Sequence, residues 1–236
     1  VFIADRASME QDVVLLSGQE GRHAATVRRL RPGERADLID GDGMMAQCVV
    51  AAAQPGLLEL TVVSRQFVPP PQPRICVVQA LAKGDRGEQA VETMTEVGVD
   101  VIVPWAAERC VASWGTARPL ERWRVTAREA AKQSRRARLP EVTELAATSD
   151  VLARAGAAAC TILLDPAAAA PVGLLPLPGA GEIILIVGPE GGVSPAETAA
   201  FTTAGAVAAR LGPTVLRAST AGTAAAAVLF SRCGRW

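Results

Sequence analysis

The stretch that most constrains this chain is Ile183-Ile184-Leu185-Ile186-Val187-Gly188-Pro189-Glu190-Gly191-Gly192-Val193-Ser194-Pro195, an apolar run that ends in a glycine-rich turn and a helix start. An unbroken run of β-branched and leucine residues predicts a strand covered on both faces, as in a parallel sheet flanked by helices. Ser194, Pro195 and Glu197 offer an N-cap, a pre-set first turn and a reciprocal carboxylate, so a helix is expected to begin there. Open α/β sheets bind ligands at such places: the strand's carboxyl end faces a crevice, glycines let ligand atoms approach the backbone, and N–H groups are free. The loop lacks the Lys-Ser/Thr of a phosphate loop and the GxGxxG spacing of a dinucleotide fold. Glu190 would set like charge beside a phosphate, whereas a cationic or hydroxyl-rich ligand accepts it. A purely structural strand-to-helix turn is the alternative reading.

A second small-residue loop follows, Leu211-Gly212-Pro213-Thr214-Val215-Leu216-Arg217-Ala218-Ser219-Thr220-Ala221, leading into a helix expected from about Ser219 through Phe230. That helix is apolar nearly all round, so it should be buried against the sheet or a partner subunit. Arg217 places a charge between an aliphatic strand end and a helix start, where a plain connector gains little from it. The competing role is an ordinary ion pair with a carboxylate.

Upstream, Phe67-Val68-Pro69-Pro70-Pro71-Gln72-Pro73 marks a boundary, because proline fixes φ, lacks a donor and biases its predecessor toward extended backbone. We divide the chain there into 1–68, a linker over 69–74, and 75–236. The first part carries short β-like runs (Val1 to Ala4, Asp12 to Leu16, Arg35 to Ile39, Met44 to Ala52, Leu57 to Ser64) broken by Pro-Gly and Gly-Asp-Gly turns, which suggests a small barrel. Ser17 and Glu20 match a capping box, and His23, Val27 and Leu30 recur at helical spacing, predicting one helix among the strands. The second part alternates buried strands (Ile75 to Ala82, Val101 to Pro104, Thr161 to Leu164, Ile183 to Val187) with helices, one near Glu88 to Val97, and reads as α/β.

Composition excludes several classes. Half the residues are hydrophobic, which rules out a disordered chain, and 24 basic residues balance 24 acidic ones, so overall charge draws the chain to neither nucleic acid nor membrane. Cys48, Cys76, Cys110, Cys160 and Cys233 form no CxxC pair, which fits core thiols in a reducing cytoplasm and no zinc site. The start meets a charge at Asp5, unlike a signal peptide. Pro166 to Gly181, the longest uncharged stretch, is a loop by its prolines and glycines and no membrane span.

Taken together, Gly-Pro-Glu-Gly-Gly after an apolar strand, then Leu211-Gly212 and the Leu216-Arg217…Thr220-Ala221 turn, resemble the SPOUT superfamily of methyltransferases, and within it the RsmE family that modifies a uridine base in 16S rRNA. Further matching segments are Leu81-Ala82-Lys83-Gly84-Asp85-Arg86, Thr95-Glu96-Val97-Gly98-Val99, Glu108-Arg109, His23 through Arg29, and Pro32-Gly33-Glu34, so the likeness spans both parts. Two departures stand out: Ser219 occupies a position where the family often has glutamate, and Lys132-Gln133 replaces its usual Glu-Gln pair.

The resemblance implies an α/β fold: a C-terminal SPOUT trefoil-knot methyltransferase domain behind an N-terminal, small PUA-like β-barrel that binds RNA. It implies S-adenosyl-L-methionine as cofactor, held by Leu164, Ile186, Val187, Gly188, Pro189, Glu190, Gly191, Gly192, Leu211, Gly212, Val215, Leu216, Arg217, Ala218, Ser219, Thr220 and Ala221. It further implies a homodimer acting on 16S rRNA, with the small ribosomal subunit as the setting. Uracil N3 carries a proton that must leave as the methyl bond forms, so a base or anion stabiliser is needed. Arg217 is the expected stabiliser and Glu190 the expected proton relay or cofactor neighbour. His23, the sole histidine, excludes a histidine-rich metal centre and is a packing or RNA-contacting residue.

For RNA, residues 118–138 hold eight basic side chains against two acidic ones. Arg124, Arg128, Lys132 and Arg136 recur every fourth residue, so a helix would align them for phosphate contact. With Arg135, with Arg22, His23, Arg28 and Arg29 in the first part, and with Lys83, Arg86 and Arg109 beside the loops, they form the expected RNA surface. A solvated helix face is the alternative for both basic clusters. Trp114 and Trp123 could stack on an unpaired base, but packing is the expected role. Competing functions are a SPOUT ribose 2′-O methyltransferase of tRNA or 23S rRNA, a non-enzymatic RNA-binding protein, and a nucleotide-binding α/β protein.

Overall fold

Side-chain alternation organises the larger sheet. In β6 (Arg74–Ala80) and β10 (Glu182–Val187), Ile75, Val77, Ile183, Leu185 and Val187 enter one core, while Cys76, Val78, Ile184 and Ile186 enter another on the opposite face. Each fully buried aliphatic side chain contributes about 1.5–3 kcal/mol of transfer free energy, so both faces must be covered. The computed structural model describes residues 1–236, divided into two units: Val1–Pro70 with Ala131–Leu139, and Pro71–Ala130 with Pro140–Trp236.

In the second unit six strands run parallel in the order β11-β9-β10-β6-β7-β8, adding β7 (Val101–Trp105), β8 (Glu141–Val142), β9 (Cys160–Leu164) and β11 (Val207–Ala209). Helices α3 (Arg86–Val97) and α7 (Ala218–Arg232) cover one face. Packing there is close: a Cβ on Gly222 would lie 3.0 Å from Met94 Sδ and 3.2 Å from Val77 Cγ1. Trp123, from α4 (Arg118–Gln133), joins the same core. Phe201 of α6 (Pro195–Thr203) fills the opposite face, edge-on to Trp105. The chain end is fixed by Arg235, which donates to both oxygens of Asp100 at 2.6 and 3.1 Å.

The first unit has a five-stranded sheet in the order β1-β3-β4-β5-β2: β1 (Phe2–Ile3), β2 (Val13–Leu16), β3 (Arg35–Ile39), β4 (Met44–Gln54) and β5 (Leu57–Phe67). All five strands send side chains into one core that includes Phe2, Val14, Leu38, Ala46 and Leu60. Residues 131–139 belong with it, since Arg138 donates to the Val68 carbonyl at 2.9 Å and Leu139 N–H to the Gly41 carbonyl at 2.9 Å.

The expected helix after Ser17 differs from its sequence pattern. α2 (Gly18–Arg22) runs into a π-helical turn, His23–Val27, and Ser17 makes no side-chain cap bond. The Glu20 carboxylate is drawn instead to Lys132 Nζ at 3.0 Å. The wider turn buries Ala24 completely and leaves Val27 68% exposed, so Val27 is not a core residue. Four elements had no strong sequence signal: α1 (Arg6–Met9), α5 (Thr148–Ala157) and the short strands β8 and β11. No helix is long and apolar enough to cross a membrane.

Candidate active site

A parallel sheet puts all its carboxyl ends on one edge, and the adjacency β11-β9-β10 brings three loop starts together there. These are Asp165 after β9, Gly188 after β10, and Arg210 onward after β11. The Gly188–Gly192 loop is closed by Gly192 N–H donating to Pro189 O at 2.8 Å, with Gly192 at φ +73°. It ends in the expected capping box: Ser194 Oγ accepts from Glu197 N–H at 3.2 Å and Glu197 Oε2 from Ser194 N–H at 3.1 Å.

Glu197 does more than cap. Its other oxygen accepts from Glu108 N–H and from Thr148 Oγ1, both at 2.9 Å, joining the glycine loop to the segment after β7 and to the start of α5. Burial opposes its ionisation, but the bonds from Glu108, Ser194 and Thr148 outweigh it and hold the carboxyl below the usual range. Arg109, one residue on, donates from Nη1 to Gly191 O at 3.4 Å.

The three loops enclose a cavity of about 430 Å³, within the range of small-molecule sites. Of the expected cofactor residues, Leu164, Val187, Gly188, Pro189, Glu190, Gly192, Leu211, Gly212, Val215, Leu216, Arg217, Ala218 and Ala221 line it. The two glycine-bearing turns therefore close one pocket. Four expected residues stand outside the lining. Ile186 points into the opposite core, Gly191 packs against Arg109, and Ser219, one residue into α7, is buried at 6% while Thr220 turns outward. Leu163, Asp165, Thr198, Ala209 and Thr214 also line the cavity. The strand-end reasoning applied to β10 would have found Asp165, which follows Thr161 to Leu164 directly.

Charges in this cavity are mixed: Arg86 and Arg217 against Asp165 and Glu190. Arg86, expected on the RNA surface, lies 3.4 Å from Glu190 Oε1 through Nη1. The Arg217 side chain is exposed and makes no hydrogen bond or ion pair, so the ordinary ion-pair role does not describe it. A largely apolar wall with two carboxylates suits a cationic ligand that carries a flat apolar ring better than a polyphosphate. No group of three or more His, Cys, Asp or Glu side chains is placed to hold a metal ion. Burial pushes the Cys76 thiol up to about 12 and the Cys48 thiol up to about 11, which keeps both protonated and unreactive at neutral pH.

The basic clusters divide. Arg22, Arg28 and Arg29 are exposed, and His23 packs edge-on to Phe2 with ring centroids 5.9 Å apart. Lys83, Arg109, Arg128 and Arg135 are exposed, and Arg136 is half-buried. The stripe on α4 is shorter than its spacing implied, because the helix ends at Gln133, before Arg136. Lys132 is only 7% exposed, and its ammonium is engaged by Glu20 at 3.0 Å. Arg124 is held by Glu121 at 2.9 Å and Glu144 at 2.6 Å, which neutralise it locally.

Comparison with known proteins gives consistent matches. Residues 69–230 match the model of an RNA methyltransferase domain, and residues 16–63 that of an RNA methyltransferase PUA domain. The chain is similar to the ribosomal RNA small subunit methyltransferase E of Mycobacterium bovis, with 46% identity over 100% of this chain and 93% of that protein. Among solved structures it resembles a ribosomal RNA small subunit methyltransferase E from Neisseria gonorrhoeae bound to S-adenosyl methionine: TM-score 0.87, 27% identity, 98% of this chain and 96% of that one. A methyltransferase from Legionella pneumophila, in complex with the same cofactor, gives TM-score 0.86 at 27% identity over 98% of this chain and 96% of that one.

Proposed function

The chain belongs to the ribosomal RNA small subunit methyltransferase E family, and from that premise we propose that it transfers a methyl group from S-adenosylmethionine to N3 of a uridine in 16S rRNA. The observation that carries this reading is the single cavity closed by Gly188–Gly192 and Val215–Ala221, with an unpaired arginine at its rim. The cofactor, when bound, supplies an electrophilic methyl group on a positively charged sulfur. Leu164, Val187, Leu211 and Ala221 would pack its apolar parts, the glycine loops would give backbone contacts, and Asp165 and Glu190 balance its positive charge.

Transfer of that methyl group to N3 would require the N3 proton to leave. The charge that develops spreads over the two uracil carbonyl oxygens flanking N3. Arg217 stabilises it with a guanidinium that no carboxylate holds, whereas Arg86, on the same cavity, is already paired with Glu190. Glu190 takes or relays the proton, with Arg86 keeping it in place. The loops that line the cavity would contribute by holding cofactor and base in a fixed relative orientation.

Residues 1–68 serve as the RNA-binding domain and 75–236 as the methyltransferase domain, joined by 69–74. Arg22, His23, Arg28, Arg29, Lys83, Arg109, Arg128, Arg135 and Arg136 are the RNA contacts in this reading. The protein works as a homodimer in the cytoplasm, on rRNA of the small ribosomal subunit, with the last loops and α7 threaded as a trefoil knot. The test is nucleoside analysis of 16S rRNA after incubation with the chain and labelled S-adenosylmethionine. N3-methyluridine is the expected product; label in a 2′-O-methylated, alkali-resistant dinucleotide would replace this reading with ribose methylation.

A further inference from the structure

The sheet edge that carries the cofactor cavity carries a second one. The loops after β6 and β7, with the start of α4, border an open cleft of about 470 Å³, lined among others by Gly84, Asp85, Glu88, Trp114 and Arg122. Asp85 lines this cavity and Arg86 the first, so the two sites share one turn, with neighbouring Cα atoms about 3.8 Å apart.

The indole in this cavity is held firmly. Trp114 is half-buried and meets Trp123 edge-to-face, with centroids 5.0 Å apart and planes at 87°. Trp123 is 2% exposed, and a Cβ on Gly87 would come within 2.9 Å of its ring, so Trp123 has no room to yield. Charge selects what could lie beside Trp114. Glu88 is bound to Arg122 at 3.1 Å, while Asp85 makes no cap bond with its carboxylate although it sits at the N-cap of α3. Two carboxylates against one guanidinium disfavour a phosphate. An aromatic ring beside a carboxylate with free acceptor sites instead suits a flat base that presents adjacent N–H donors. Guanine does so with its N1–H and 2-amino group.

We propose that this cavity binds a guanine base of the RNA, from a nucleotide flanking the one methylated, by stacking on Trp114 and donating hydrogen bonds to Asp85. It rests on the reading of the chain as an RNA methyltransferase, but its first test needs neither cofactor nor turnover. The indole N–H resonances of the full chain are followed by NMR on titration with each of the four nucleoside 5′-monophosphates, Trp114 being assigned through Trp114→Phe. Guanosine monophosphate is expected to shift the Trp114 signal, and Asp85→Asn to weaken that response about tenfold or more. Equal shifts from all four nucleotides, no shift from any, or a Trp114 signal that responds only to dilution of the protein would each overturn it.

The second measurement uses RNA in which the methylated uridine has been mapped and a neighbouring guanine is replaced by inosine, which lacks the 2-amino group. Wild type should lose about tenfold in kcat/KM, chiefly through KM, and Asp85→Asn should be indifferent. Equal sensitivity of both proteins to the replacement contradicts the site. An absence of methyl transfer to any rRNA removes the methyltransferase reading while leaving the titration result to stand or fall alone.

Discussion

Arg217 at the mouth of the cavity between the two glycine-bearing loops and the basic residues of α4 are made of similar charges in different surroundings. Arg217 sits at the N-cap of α7, exposed and without a carboxylate, at the helix end where a positive charge is least favoured. On α4, Arg124 lies between Glu121 and Glu144, and Lys132 is buried on Glu20. A cation already bonded to carboxylates has little left for a ligand, whereas one kept unpaired at some electrostatic cost is available for chemistry. The difference teaches that basic residues mark a functional surface by availability rather than by number.

The sharpest way to break the comparison is Arg217→Ala. Turnover should fall about 10²–10³-fold while cofactor affinity and thermal stability stay near wild type. Single-turnover methylation and cofactor titration measure the two separately, and an unchanged rate would leave Arg217 no privileged role. Lys132→Ala should behave in the opposite way: about 3 kcal/mol of stability lost in urea unfolding, since one partner of a buried ion pair is removed, with cofactor affinity unchanged.

Glu197 sharpens the contrast from the cavity side, because its charge is buried but fully used. Its folded-state pKa is depressed, so the stability it contributes is fully present at neutral pH and is lost as pH falls from the ordinary carboxylate range through the lowered value. Glu197→Gln should cost about 1–3 kcal/mol at pH 7, and the gap to wild type should narrow on acidification, as read from unfolding curves between neutral and acid pH. The smallest effects belong to the surface arginines. Arg28→Ala should reduce the salt dependence of RNA binding by about one unit of slope, while Arg124→Ala should change it little.

What could be read from sequence was what neighbours in sequence decide. The Ser194-Pro195-Glu197 helix start was legible because its three parts lie within four positions, and the buried strands because apolar runs of that kind have few other uses. The ligand-binding reading of Gly188–Gly192 followed from the strand before it. Lys132 misled because its partner is 112 residues away, and Asp165 was passed over because its place in the cavity depends on β9 lying next to β10. β11 is three residues long and is a strand only through parallel pairing with β9. α5 begins at Thr148 behind an N-cap, Ala147, whose side chain cannot cap, so only half of the usual start signal is present, Asp150 accepting from Ala147 N–H at 2.9 Å. In the first unit, the backbone contact of Gly21 with Leu16 and Gly56 sets the helix where a π turn follows. No spacing of apolar residues predicts that turn.

The central claim is that the two glycine-bearing loops form one pocket for S-adenosylmethionine. Gly212 tests it most directly, because it lines the cavity and a Cβ built there meets nothing within 4 Å, so a larger side chain disturbs the space and not the fold. Calorimetric titration of S-adenosylmethionine into wild type and Gly212→Leu should show one site per chain in the first and no measurable binding in the second, at the same melting temperature. Undiminished affinity in Gly212→Leu would contradict the account.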